Sequence, residues 1–204
     1  MADHRVIVDL DGTLLDTRRR HHTVYLHALR SVGGEQAPLT LPAFWRAKRR
    51  GRGWPRLLGD RVATERFLDA WKTRIEAPDM LALDSLQPGA ARALQRLRQA
   101  GFELVLLTAR HDGDALAAQL RALAIDTAFR HIIAVGQDAK TPPPGAPALH
   151  WFGDTEADVT AARAANIPVT LVTNGIRAPS LLMGCRADAL APSFGAAVTR
   201  FLKQ

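Results

Sequence analysis

An α/β fold is what this sequence predicts: a parallel sheet covered by helices on both faces, with an all-helical segment inserted early in the chain. Three observations carry that reading. Short apolar runs suited to buried strands alternate with helix-like stretches along most of the 204 residues. Three of those runs end in polar, chemistry-bearing residues: Asp9 and Asp11, then Thr108, then Asp154. Residues 17–83 carry helical spacing that no strand pattern interrupts.

The first strand, Val6-Ile7-Val8, begins near Arg5 and leads into Asp9-Leu10-Asp11-Gly12-Thr13-Leu14. From Arg18 to Val32 the spacing turns helical, with His22, Tyr25, Leu26, Leu29 and Val32 on one face and Gly33-Gly34 as the stop. Thr40 is placed to cap a second helix, with Pro42 in its first turn and Phe44 and Trp45 as apolar content; Gly51, Gly53 and Pro55 break it. A third helix is expected over about 63–76, with Phe67, Leu68, Trp71 and Ile75 on its face. Near Gln87 the α/β pattern resumes. Pro88 suits a first helical turn, Leu94 and Leu97 give a face, and Gly101 stands where a helix C-terminus favours glycine. Strands follow over 102–108 and about 131–135, with a helix over about 113–123 between them. No helix pattern is visible between the strands at 131–135 and 149–152. A helix over about 156–165, a strand over 168–172, a short strand near 188–191 and a terminal helix complete the chain. The domain reading is a core of 1–16 and 84–204 and an inserted helical domain of 17–83. Alternating strands and helices imply a parallel sheet, and such sheets bind ligands beyond the carboxyl ends of their strands. Residues far apart in sequence can therefore converge there.

Composition is that of a globular protein, 47% hydrophobic and 23% charged. One cysteine, Cys185, excludes an intramolecular disulfide. A strand beginning near Arg5 leaves no room for a signal peptide, and no apolar run nears the roughly 20 residues a bilayer requires. The expectation is a cytoplasmic protein with no membrane partner. The net charge of +7 favours anionic partners. Within 17–83, Arg46, Lys48, Arg49, Arg50 and Arg52 crowd between Trp45 and Trp54, and Arg56 follows. They read either as a solvated face or as a clamp for a second anionic group, since arginine suits carboxylate and phosphate.

Paired carboxylates at a strand end, before a turn, can supply a nucleophile and an acid/base. They can also face a divalent cation together. Asp9 is the expected nucleophile, since a carboxylate can attack phosphorus to give an acyl-phosphate that water then hydrolyses. Asp11 is the expected acid/base. Asp154 adds a third carboxylate, and Mg2+ fits an all-oxygen set that shares the substrate phosphate. Thr108 reads either as a donor to a phosphoryl oxygen, helped by the Ala109 N–H, or as a strand-end cap. Thr155-Glu156-Ala157-Asp158 has capping-box spacing, so Asp158 has a structural use as well.

The motifs DLDGTL at 9–14, LLTAR at 106–110 and GDTEADV at 153–159, in this order, resemble those of the haloacid dehalogenase-like (HAD) hydrolase superfamily. The resemblance implies a Rossmann-like parallel-sheet core with a mobile, helical C1-type cap after the first motif, as in phosphoglycolate-phosphatase-like and β-phosphoglucomutase-like members. It implies the nucleophile role for Asp9 and a metal contact through the Asp11 carbonyl. It makes Asp158 an outer group of the metal or a partner of the family lysine. Lys140 is the one lysine between Thr108 and Asp154 and takes that lysine's place, although Thr141 and a Pro142-Pro143-Pro144-Gly145 stretch follow it where the family has a proline and a helix. Arg110 is the alternative cation. The expected set is thus Asp9, Asp11, Thr108 and Lys140 as catalytic, Ala109, Arg110, Arg49, Arg50 and Arg52 as substrate-binding, and Asp9, Asp11, Asp154 and Asp158 as metal ligands. The expected activity is hydrolysis of a small phosphorylated metabolite. A phosphomutase, or a non-catalytic phosphate-binding or regulatory protein, are the alternatives. A dehalogenase needs no acid/base carboxylate at position 11, and nucleic-acid binding by the basic segment ranks below a small-molecule substrate. Oligomeric state and substrate identity are not readable from the sequence.

Overall fold

The computed structural model describes residues 4–33, 37–51, 61–136, 140–142 and 148–203. Gly34, Arg52, Gly53, Trp54, Pro55, Arg56 and the stretch 143–145 lie outside them. The chain divides into two compact units, Met1–Asp16 with Leu86–Gln204, and Thr17–Ser85.

In chain order, β1 (Arg5–Val8) and β2 (Leu15–Asp16) precede four helices, α1 (Arg18–Ser31), α2 (Leu41–Arg49), α3 (Arg61–Ile75) and the short α4 (Pro78–Leu81). Then come β3 (Ser85–Leu86), α5 (Ala90–Gln99), β4 (Glu103–Thr108), α6 (Gly113–Ala122) and β5 (His131–Ala134). The rest is β6 (Ala148–Gly153), α7 (Glu156–Ala164), β7 (Val169–Val172), α8 (Pro179–Leu182), β8 (Ala189–Ala191) and α9 (Phe194–Phe201). α4 and α8 are single turns behind Pro78 and Pro179, too short for helical spacing to show in the sequence.

Six strands form one sheet in the order β5-β4-β1-β6-β7-β8, and β2 pairs with β3. Every pairing in the large sheet is parallel. The strand period of two divides the core. Val6, Val8, Leu104 and Leu106 pack on one face with α5, α6 and α9, through Leu94, Leu97, Leu116, Leu120, Phe194 and Val198. Ile7, Val105, Leu107 and Trp151 pack on the other with Val159 and Ala162 of α7 and Leu182 of α8. Full burial of one such large apolar side chain contributes about 1.5–3 kcal/mol. The cover thins at the β5 edge, where His131, Ile132 and Ala134 are exposed. Gly101, at φ 87°, ends α5 as its position suggests, and Phe102 N–H donates to the Leu97 carbonyl to close the turn.

The second unit packs around Tyr25, Ala28, Leu29, Phe44 and Phe67. Thr40 holds the N-cap position of α2, but its side chain makes no capping bond there. The buried face of α1 also differs from the apolar spacing. Arg20, His21, Val24, Tyr25, Ala28 and Leu29 are buried, while His22, Leu26 and Val32 are half-buried. Arg20 is inside because Asp84 meets it, Nε donating to Oδ1 at 3.1 Å, and its Nη1 donates to the Ile75 carbonyl. No helix among the described residues is long and apolar enough to cross a membrane.

Candidate active site

β1 lies between β4 and β6, so the ends of the three motif-bearing strands are neighbours. Val8 is in register with Leu106 and Phe152, and Asp9 N–H donates to the Phe152 carbonyl at 2.9 Å. One direction of chain growth leads from β1 to β4 and β5, the other to β6, β7 and β8. That is a topological switch point, where a crevice opens beyond the strand ends.

Asp9 is buried there. Lys140 Nζ donates to its Oδ1 at 2.6 Å and to Asp158 Oδ1 at 2.7 Å. Thr13 Oγ1 lies 3.4 Å from Asp9 Oδ2. Asp158 is fully occupied by protein donors: Trp151 Nε1 reaches its Oδ1, while the N–H groups of Asp154 and Thr155 and the Thr155 hydroxyl reach its Oδ2. The capping box at the start of α7 is therefore formed, and the same carboxylate also holds the lysine. Those are two uses of one side chain, one on each oxygen.

Asp154 is fully buried at the end of β6. Ile176 N–H, in the loop after β7, donates to its Oδ2, and its Oδ1 has no hydrogen-bond partner among the described residues. Two glycines make room for it. A Cβ on Gly12 would come within 2.1 Å of Asp154 Oδ2, and one on Gly175 within 2.2 Å. Gly12 also has φ 87°, a turn that side chains disfavour.

Carboxylate oxygens of Asp9, Asp154 and Asp158 lie within 4.8 Å of one another. Three buried acids therefore face one ammonium. Burial, and then repulsion from Asp158 and Asp11, push the Asp9 carboxyl up to about 7 against the pull of Lys140. Asp154 is pushed well above the usual carboxylate range by burial and then by Asp9 and Asp158. Burial works against the Lys140 charge, but Asp9 and Asp158 outweigh it and hold the ammonium above its usual range. A hard divalent cation fits this set: the donors are oxygens, and among the described residues Asp154 offers a buried oxygen without a partner and the three clustered carboxylates meet one ammonium.

Thr108 is buried at the end of β4, and Ala109 beyond it is exposed. Arg110 is buried, and its fork grips Asp11: Nε donates to Oδ2 and Nη2 to Oδ1, both at 2.8 Å. The cation expected to meet substrate is thus engaged by the expected acid/base. Arg49 is half-buried and Arg50 exposed at the end of α2, in the second unit, and Arg52 is outside the described residues. Thr13, Trp151, Gly175 and Ile176 were not singled out in the sequence. A glycine three residues beyond an apolar strand was the available signal for the Gly175 turn; nothing local marks Trp151 as a donor.

The family model for haloacid dehalogenase-like hydrolases matches residues 5–149. The chain belongs to the haloacid dehalogenase-like hydrolase family. The match spans the first two motifs and Lys140; the Asp154–Asp158 region lies beyond it and is joined to them by the geometry above. The plasmid-encoded phosphoglycolate phosphatase of Cupriavidus necator is 30% identical over 94% of this chain and 90% of its own length. The phosphoglycolate phosphatase of Rhodobacter capsulatus is 28% identical over 84% and 85%. A crystal structure described as a predicted phosphatase from Clostridium acetobutylicum superposes over all of both chains with a TM-score of 0.78 at 18% identity, which shows a shared fold. This HAD-type hydrolase thus stands among the phosphatases of its family.

Proposed function

We propose that this protein is a Mg2+-dependent phosphatase that hydrolyses a small anionic phosphomonoester through an aspartyl-phosphate on Asp9. The supporting observation is the buried Asp9 carboxylate, held by Lys140 at 2.6 Å beside Asp154 at the end of the central strand.

Asp9 and Asp154 would hold the ion, with the Asp11 carbonyl as a further ligand. When bound, Mg2+ supplies charge compensation that lets an anionic phosphoryl group approach these carboxylates. The chain's own groups do the rest. The Asp9 carboxylate attacks phosphorus as the bond to the leaving oxygen breaks, and Asp11 passes a proton to that oxygen. Asp11 then takes a proton from water, whose oxygen attacks phosphorus and frees Asp9 and phosphate. Thr108 and the Ala109 N–H donate to the phosphoryl oxygens. Lys140 balances the charge that develops there, and Asp158 acts through Lys140 rather than on the ion, because protein donors already occupy both of its oxygens.

The helical unit serves as a cap that selects substrate, with Arg49, Arg50 and Arg52 meeting an anionic group remote from the reacting phosphorus. Phosphoglycolate, which has one carboxylate, is the first candidate, since two curated relatives carry that name.

Phosphate release from a panel of phosphorylated metabolites, with Mg2+ and after chelation, tests the reading. Turnover of a small phosphorylated acid that chelation abolishes is the expected result, and alanine at Arg49, Arg50 and Arg52 together raises its KM far more than that of p-nitrophenyl phosphate. Full turnover after exhaustive chelation contradicts the metal reading, and no release from any substrate contradicts the phosphatase.

A further inference from the structure

We infer that Arg110 is a positioning residue for Asp11 rather than a substrate-binding cation. The inference rests on the phosphatase reading, in which Asp11 moves the protons.

Asp11 sits in the turn after β1, where its backbone is fixed by a bridge to Leu15 and by Gly12 N–H donating to the Leu15 carbonyl at 3.0 Å. That leaves the two side-chain torsions. Arg110 fixes them from a different strand end. Its guanidinium makes two parallel 2.8 Å bonds, one to each Asp11 oxygen, the bidentate geometry that lysine cannot reproduce.

Arg110 is itself held. Its side chain is 4% exposed, against 22% for Asp11. Nη2 also donates to Gln119 Oε1 of α6 at 3.3 Å, and the Arg110 carbonyl accepts from Gly136 N–H at 2.9 Å. A guanidinium buried this far, with its fork spent on a carboxylate, holds that carboxylate in place. The grip still leaves the Asp11 side chain partly exposed, at 22%. A carboxylate offers about four acceptor positions, and the fork uses one on each oxygen.

Misplacing a reacting group by about 1 Å can cost on the order of 100-fold in rate. The loss depends on how much the reaction needs the proton. An alkyl phosphate expels a poor leaving group that must be protonated as the bond to phosphorus breaks. p-Nitrophenyl phosphate expels a stable phenolate.

The test is kcat/KM of R110A on an alkyl phosphate and on p-nitrophenyl phosphate, in a double-mutant cycle with D11N. The expected loss is about 100-fold for the alkyl ester and only a few-fold for the aryl ester. In the D11N background R110A adds little, R110K recovers little, and added guanidinium ion restores R110A on the alkyl ester. Equal losses on both esters through KM, or full additivity with D11N, overturn the inference and return Arg110 to the substrate phosphate. A wild-type protein that turns over neither ester would instead count against the phosphatase reading.

Discussion

At Lys140 one ammonium meets two buried carboxylates, Asp9 at 2.6 Å and Asp158 at 2.7 Å. Removing it leaves Asp9, the proposed nucleophile, beside two other acids without the ammonium that offsets their charge. Lys140→Ala is expected to lower kcat by about 100- to 1000-fold, comparable to losing an oxyanion donor, with a smaller change in KM. Steady-state kinetics at saturating Mg2+ checks it, and a near-wild-type kcat would remove Lys140 from the chemistry. Residues of this kind were legible as types and positions: Asp9, Asp11, Thr108 and Asp154 each close an apolar run, and Lys140 was the one lysine in its interval. Their pairings were not legible. That Arg110 faces Asp11 follows from β4 lying beside β1, and that Trp151 donates to Asp158 follows from the path of α7 back along β6. Sequence spacing carries no information about either.

Among the elements, α1 shows where periodicity falls short. A helical face read from apolar residues alone omits an arginine, yet Arg20 is among the most buried side chains of the second unit. Its partner Asp84 is 64 positions away, at the other end of that unit. Both side chains are at most 1% exposed, so neither can be repaid by water when the other is lost. Asp84→Ala is expected to cost about 3–5 kcal/mol of stability, the range for breaking one side of a buried ion pair. Urea unfolding followed by circular dichroism reads the change; a loss below about 1 kcal/mol, the range of exposed pairs, would show that the pair is solvated. The strands were easier to read than the helices' buried faces, because a buried parallel strand is apolar along its whole length and needs no partner to be recognised.

Over the whole molecule, the sheet couples stability to pH at a position remote from the acid cluster. His150, on β6, is buried between the Phe152 and Phe201 rings, with Nε2 2.8 Å from Thr170 Oγ1. Burial pulls its pKa down from 6.5 to about 4, against a weaker opposing pull from Asp188. The unfolded chain therefore binds a proton that the native state refuses. The stabilisation is complete above pH 6.5 and is lost as pH falls from 6.5 towards 4, by at most about 3 kcal/mol. His150→Gln keeps a polar partner for Thr170 but cannot titrate, so its stability should fall less across that window. Thermal unfolding of both proteins from pH 7 to pH 4 measures the difference; parallel curves would assign the acid loss to other groups.

The α/β order, the inserted helical unit and the convergence of three strand ends all serve one claim, that Asp9 becomes covalently phosphorylated. The most direct measurement stops the protein during turnover of its substrate with Mg2+, reduces the acyl-phosphate with borohydride and locates the altered residue by peptide mass spectrometry. The account predicts that the Asp9 side chain is converted to the alcohol, that nothing else is, and that Asp9→Asn shows neither conversion nor turnover while unfolding like the wild type. Turnover that persists in Asp9→Asn, or conversion at a different carboxylate, would contradict it.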